Sequence, residues 1–259
     1  MNERDFTQRL WMAGVLGVVV LLAPAKSELF ASSTLDPGEY TANPPPAKAQ
    51  AETQGDILMS QKKYEAAIKE YQQAPQDSAV IWNKIGVAYH HMYNLGAARS
   101  HYEQALRLDP KYAEAMNNLA TALYSEKKYG AAEKLYRKAL KLSPRDATIY
   151  GNLGTLYFVQ GKTSKGAEAY RMAFSLDPNV FERSAQMGIG EAVTSQQRAM
   201  MNYSLAKTYA NVGMNDRALQ YLRMALSEGF RDRKRLMEEK EFAALRETPE
   251  FRQLMAEQH

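Results

Sequence analysis

The side chains with the most scope for chemistry in this sequence are amides, hydroxyls and rings that recur in columns. Asn83 and Asn117 form one column. Lys84, Asn118 and Asn152 form a second, Thr121 and Thr155 a third, and His90, Tyr124 and Phe158 a fourth. An asparagine amide both donates and accepts, so such columns can bond a peptide backbone while the rings hold apolar side chains. That is the chemistry of binding. No spacing in the chain supports a nucleophile paired with a base, and carboxylates such as Glu133 and Glu168 fall on surface faces of helices.

Other chemistries are excluded by composition. The absence of cysteine removes thiol nucleophiles, disulfides, iron–sulfur clusters and Cys-ligated zinc. Of the four histidines, His90 and His91 are neighbours, so on a helix they point ~100° apart and cannot grip one metal as an i, i+4 pair does. Gly188-Ile189-Gly190 lacks the preceding strand and the third glycine of a phosphate-binding loop. The basic run Arg231, Arg233, Lys234 and Arg235 is diluted by Asp232, Glu238, Glu239 and Glu241, and reads as a solvated helix face. A net charge of +4, from 33 basic against 29 acidic residues, calls for no nucleic-acid partner. A non-catalytic chain without cofactor or metal is expected.

The elements that must carry these columns repeat with a period of 34 residues. Gly86, Ala120 and Gly154 keep that step. So do Tyr89, Leu123 and Tyr157, then Tyr102, Tyr136 and Tyr170, then Ala105, Ala139 and Ala173, then Pro110, Pro144 and Pro178. Within one unit, Trp82, Ile85, Gly86 and Tyr89 make one helical stripe. Ala98, Tyr102 and Ala105 make another after a break at Tyr93-Asn94-Leu95. Two helices therefore face each other, with small residues where they approach closest and a proline ending the unit. One hairpin cannot bury both of its faces, so neighbours must stack.

The pattern W-x-x-I-G-x-x-Y…A-x-x-x-Y…P over Trp82–Pro110, twice repeated in register, resembles the tetratricopeptide repeat family. The resemblance implies an all-α solenoid of helical hairpins, a right-handed superhelix. Its units are 48–78, 79–112, 113–146, 147–180 and 199–232, with an insertion at 181–198. Residues 233–259 read as capping helices: Gly229 suits a left-handed helix end, and Thr248-Pro249 starts a further helix. Phe242, Leu245, Phe251, Leu254 and Met255 would cover the open end. The insertion, with Phe181, Met187 and Ile189, is either a spacer helix or a lid at the groove end.

In arrays of this family, positions 2, 5, 9 and 12 of each first helix line a concave groove, with position 6 beside them. The resemblance thus places Asn83, Lys84, His90, Asn117, Asn118, Thr121, Tyr124, Asn152, Thr155 and Phe158 in a peptide-binding groove. The asparagines at position 6 have a second reading, in which they only tie neighbouring first helices together. The family's carboxylate clamp is missing, because position 2 reads Ala49, Val80, Glu114, Thr148 and Met200 and position 9 never carries Asn. Chaperone C-terminal tails are therefore not the expected partner.

Ahead of the array, Leu10 to Ala23 is a 14-residue apolar run, the length of an export-signal core and short of the ~20 residues of a membrane span. Residues 1–25 read as a cleaved signal, or alternatively as an anchor in the inner membrane. Residues 26–47, with Pro44-Pro45-Pro46, read as an extended linker. Membrane contact is expected only through this N-terminal segment, and only where it is left uncleaved. The expectation is an exported, periplasmic or envelope scaffold that binds a protein or peptide. The alternative is a rigid structural subunit of an envelope enzyme or secretion complex. Partner identity and oligomeric state are not legible.

Overall fold

A computed structural model describes residues 47–185 and 194–256, all within one compact unit, Pro44–His259. The leader, most of the linker, and Met187 and Ile189 of the insertion lie outside the described residues. Four helical hairpins follow in order: α1 (Ala47–Ser60) with α2 (Tyr64–Tyr71), α3 (Ala79–His91) with α4 (Leu95–Leu108), α5 (Ala113–Ser125) with α6 (Tyr129–Leu142), and α7 (Ala147–Val159) with α8 (Thr163–Leu176). Next come the short α9 (Val180–Ala185) and a fifth hairpin, α10 (Ser195–Asn211) with α11 (Asn215–Ser227). The chain closes with α12 (Arg233–Glu238), a 3-10 turn at Lys240–Phe242, α13 (Ala243–Arg246) and α14 (Pro249–Ala256). The fold is an all-α tetratricopeptide-type solenoid with capping helices.

The sequence columns explain the hairpins. Tyr71, Tyr102, Tyr136 and Tyr170, one per second helix, are all buried. Their rings lie over the small residue of the facing first helix. A methyl group added at Gly86 or Gly154 would come within 2.5 Å of the Tyr102 or Tyr170 ring. Each hairpin turns through one left-handed residue: Lys62, Tyr93, Lys127, Gly161 and Gly213, with φ of 59°, 57°, 60°, 73° and 76°. The three non-glycines adopt that conformation at about 1–2 kcal/mol each, which the tyrosine-filled interface behind them offsets.

The fifth hairpin starts earlier than its spacing predicts. Its first helix begins at Ser195 because Thr194 and Gln197 form a capping box, so the end of the insertion is helix and not connector. At the other end, Gly229 (φ 99°) terminates α11, and Phe230 N–H donates to Ala225 O at 2.9 Å. Thr248 Oγ1 accepts from Phe251 N–H at 3.2 Å and starts α14. Phe242, Leu245, Phe251 and Leu254 are buried against Leu222 and Leu226 of α11, with Met255 partly buried beside them.

The cap is also docked by charge. Glu239 accepts from Tyr203 Oη, from Lys207 Nζ at 2.6 Å and from Arg235 Nε at 3.1 Å. Burial alone would raise this carboxyl, but those three donors hold it at about 2. The basic run read as a solvated face is partly engaged: Arg235 holds Glu239, and Arg233 donates to Met255 O at 2.5 Å. Among the described residues, no helix is long and apolar enough to cross a membrane.

Candidate functional site

A groove of about 1510 Å³ runs along α3, α5 and the start of α7. Its volume exceeds the ~300–1,000 Å³ of pockets that enclose compact small molecules. His90, Asn117, Asn118, Thr121, Tyr124 and Asn152 line it. Asn83, Lys84, Thr155 and Phe158, expected in the same groove, do not.

The asparagines form a chain across three first helices. Asn152 Nδ2 of α7 donates to Asn117 Oδ1 at 2.9 Å, and Asn117 Nδ2 to Asn118 Oδ1 at 3.2 Å, both on α5. Asn118 Nδ2 donates to Asn83 Oδ1 of α3 at 3.0 Å, and Asn83 Nδ2 to Glu114 Oε1 at 2.9 Å. The position-6 residue of each helix thus grips position 5 of the helix before it. The first junction uses charge for the same purpose: Lys84 donates to Glu52 at 2.8 Å and to Asp56 at 2.7 Å. Burial would lower the Lys84 pKa, but these two carboxylates raise it above its ordinary value. The helix-tying reading of these asparagines therefore holds for the contacts seen, and Asn83, 1% exposed, is a buried tie. Glu114 and Tyr112 end the chain and line the groove. The sequence offered Glu114 only as a mismatch to a clamp.

Phe158 departs from the expected column because its ring enters the α7–α8 interface. A methyl group at Gly166 would meet that ring at 2.8 Å, so the glycine in place of the usual alanine makes room for it. Phe158 then packs 5.1 Å from the Tyr170 ring and is 1% exposed. Phe181 of α9 also packs on Tyr170, 4.7 Å between ring centres, and lies next to Gly151. Thr155 is enclosed with them, its hydroxyl bonded to Tyr170 Oη at 2.9 Å. The groove therefore stops at α7, where the described start of the insertion occupies its course.

Within the open part, two rings differ in what they offer. Burial, with a smaller effect of His91, holds the His90 pKa below its ordinary value, so His90 presents a neutral imidazole near neutral pH. Tyr124 is 3% exposed, and burial, then Tyr129, push its phenol up to about 12. Its hydroxyl has no hydrogen-bond partner among the described residues. Among the described residues no three His, Asp or Glu side chains gather as a metal site requires.

Family models described as tetratricopeptide repeat match residues 53–74, 77–145 and 127–180. A curated relative, the chloroplastic tetratricopeptide repeat domain-containing protein PYG7 of Arabidopsis thaliana, is 36% identical over 75 residues, covering 26% of this chain and 25% of that protein. The chain thus spans about a quarter of that relative's length. The solved structure of PilF from Pseudomonas aeruginosa is 19% identical, with 81% of this chain and 87% of that chain covered and a TM-score of 0.53. It shares the fold. A MamA structure from Desulfovibrio magneticus RS-1 is 16% identical, covering 75% and 98%, with a TM-score of 0.48.

Proposed function

We infer, from the premise that this chain is a tetratricopeptide repeat protein, that it is a non-catalytic interaction module whose open groove receives an extended protein segment. The observation that carries this reading is the groove itself, walled by polar and ring side chains over α3, α5 and the start of α7, of which His90, Asn118 and Thr121 are half-buried. Tyr124 borders the groove with a hydroxyl that has no hydrogen-bond partner among the described residues, so a segment whose binding uncovers that hydroxyl would return the cost of leaving it unpaired. The apolar run Leu10–Ala23 supports placing the protein in the cell envelope as an exported or anchored scaffold.

A specific observation favours the second reading, that of a rigid structural arm in an envelope assembly. The asparagine chain and the clamped cap spend polar groups on internal stiffness rather than on display.

One experiment separates the two. Ser125 and Thr148 line the groove and are half-buried, so Ser125→Arg with Thr148→Arg obstructs it without touching the hairpin cores. Peptides selected from a phage-displayed library on the wild-type protein are expected to lose at least about tenfold in affinity, or 1.4 kcal/mol, on that variant. Selection that yields no binder, or binders indifferent to both arginines, overturns the groove reading and leaves the arm.

A further inference from the structure

Away from the groove, the outer face of α6 carries Lys134, Arg137, Lys138 and Lys141. Their spacing is i, i+3, i+4, i+7, so they form one stripe on the side opposite the buried Ala132, Tyr136 and Ala139. All four are exposed, and Arg137 leaves 65% of its side chain in solvent. The nearest acid on the same helix, Glu133, is held at 3.0 Å by Lys162 and reached by Arg137 only at 3.9 Å. Lys134, Lys138 and Lys141 have no acidic partner among the described residues.

The period extends the patch. One unit back, Arg107 of α4 stands where α6 has Lys141. One unit forward, Arg171 of α8 stands where α6 has Arg137. Both are exposed. The acids on the corresponding faces are Glu103, which pairs with Arg99 along α4, and Glu168. Exposed apolar side chains adjoin these cations. Leu108 follows Arg107 and Met172 follows Arg171, each at 41% exposure.

We propose that this outer face is a docking surface for an anionic lipid bilayer. Lysine and arginine heads with an exposed leucine and methionine beside them match a surface of spread negative charge over an apolar interior. A single-stranded nucleic acid would want aromatic platforms to stack its bases, and this stripe presents none; a duplex would use the cations but leave the apolar side chains beside them without a partner. The contact differs from any made by Leu10–Ala23, because it depends on lipid charge.

The test measures partitioning of the full chain onto vesicles of phosphatidylcholine alone and of phosphatidylcholine with about one-third phosphatidylglycerol. The neutral vesicles report whatever the apolar run contributes; the increment on anionic vesicles reports the stripe. Each cation near such a surface is worth about fivefold. Lys134→Gln, Arg137→Gln, Lys138→Gln and Lys141→Gln together are then expected to cut the anionic increment at least about a hundredfold. Raising salt from about 0.1 M to about 1 M, which shortens the screening length from ~10 to ~3 Å, is expected to do the same to the wild type.

A charge-matched control replaces the exposed Lys62 and Lys63 of the first hairpin turn and Lys234 and Lys240 of the cap with Gln. It is expected to change the increment by less than about threefold, since screening confines the attraction to about 10 Å of the surface. Equal losses in the two variants would make the attraction one of net charge and overturn the proposal. It is likewise overturned if wild-type protein shows no anionic increment, or if the stripe variant loses duplex DNA binding while its vesicle partitioning is unchanged.

Discussion

Helices α5 and α7 are the same element one period apart, and the groove treats them oppositely. Both are 13 residues long, both place a ring at position 12, and both bond a threonine to the tyrosine of the next helix at 2.9 Å. On α5, the concave side is open and Asn117, Asn118, Thr121 and Tyr124 border the recess. On α7, Gly151 to Phe158 are buried all round. The difference begins at position 5, where α5 has Asn117 and α7 has Gly151. An asparagine there accepts from the next repeat and propagates the amide chain. A glycine ends the chain and leaves room beside it, and Phe181 fills that room. One residue type thus decides whether the groove continues or the chain packs into it.

The strongest way to break this comparison is to remove the filler. Phe181→Ala deletes a ring packed on Tyr170 and Gly151, and a loss of about 3–5 kcal/mol is expected in urea unfolding. Amide exchange should quicken along α7 in the variant and stay unchanged along α5. A variant as stable as wild type would mean that α9 is an ornament on an already closed helix. Gly151→Asn attacks the same contact from the other side. A Cβ at Gly151 would already touch the Phe181 ring at 3.8 Å, and a full amide overfills the space, at about 1–3 kcal/mol. The two substitutions should couple: Gly151→Asn should cost less once Phe181 is Ala, and strict additivity would sink the idea that they compete for one volume.

Two smaller effects sharpen the contrast between neutral ties and charged ties. Asn117→Ala removes the acceptor of Asn152 and the donor to Asn118, so about 1–3 kcal/mol should be lost, most of it from leaving the buried Asn152 amide unpaired. The cap at the far end answers to pH instead. Glu239 is held at about 2, below the ordinary glutamate value of 4.5, so its contribution is complete above 4.5 and disappears as pH falls toward 2. The urea midpoint should fall across that window, and Glu239→Gln should flatten that part of the profile.

How legible these features were depended on whether a column fixed them. The hairpins followed from Gly86, Tyr102, Ala105 and Pro110, because close packing at a fixed period permits few residue types. The groove residues on α5 followed from the same register. Phe158 did not, since its direction is set by Gly166 eight residues on, a substitution visible in the sequence without its consequence. The α9 contact was invisible for a different reason: Phe181 lies outside the period, so no neighbouring repeat predicts what it touches. The early start of α10 was written locally, in Thr194 and Gln197, but the repeat spacing argued against it.

The smallest expected effect is the most informative about the open half. Tyr124 and Phe158 share position 12, and only Tyr124 has a hydroxyl, which is buried and unpartnered among the described residues. Tyr124→Phe makes the two columns alike. If that hydroxyl serves only the fold, its removal deletes an unsatisfied polar group, and stability should stay level or rise by up to about 1 kcal/mol. If a bound segment supplies its missing partner, the same substitution should weaken groove-selected peptides by roughly three- to tenfold while leaving the unfolding midpoint unlowered. A midpoint that drops instead would mean the hydroxyl is already satisfied within the fold, and Tyr124 would join Phe158 as a core ring.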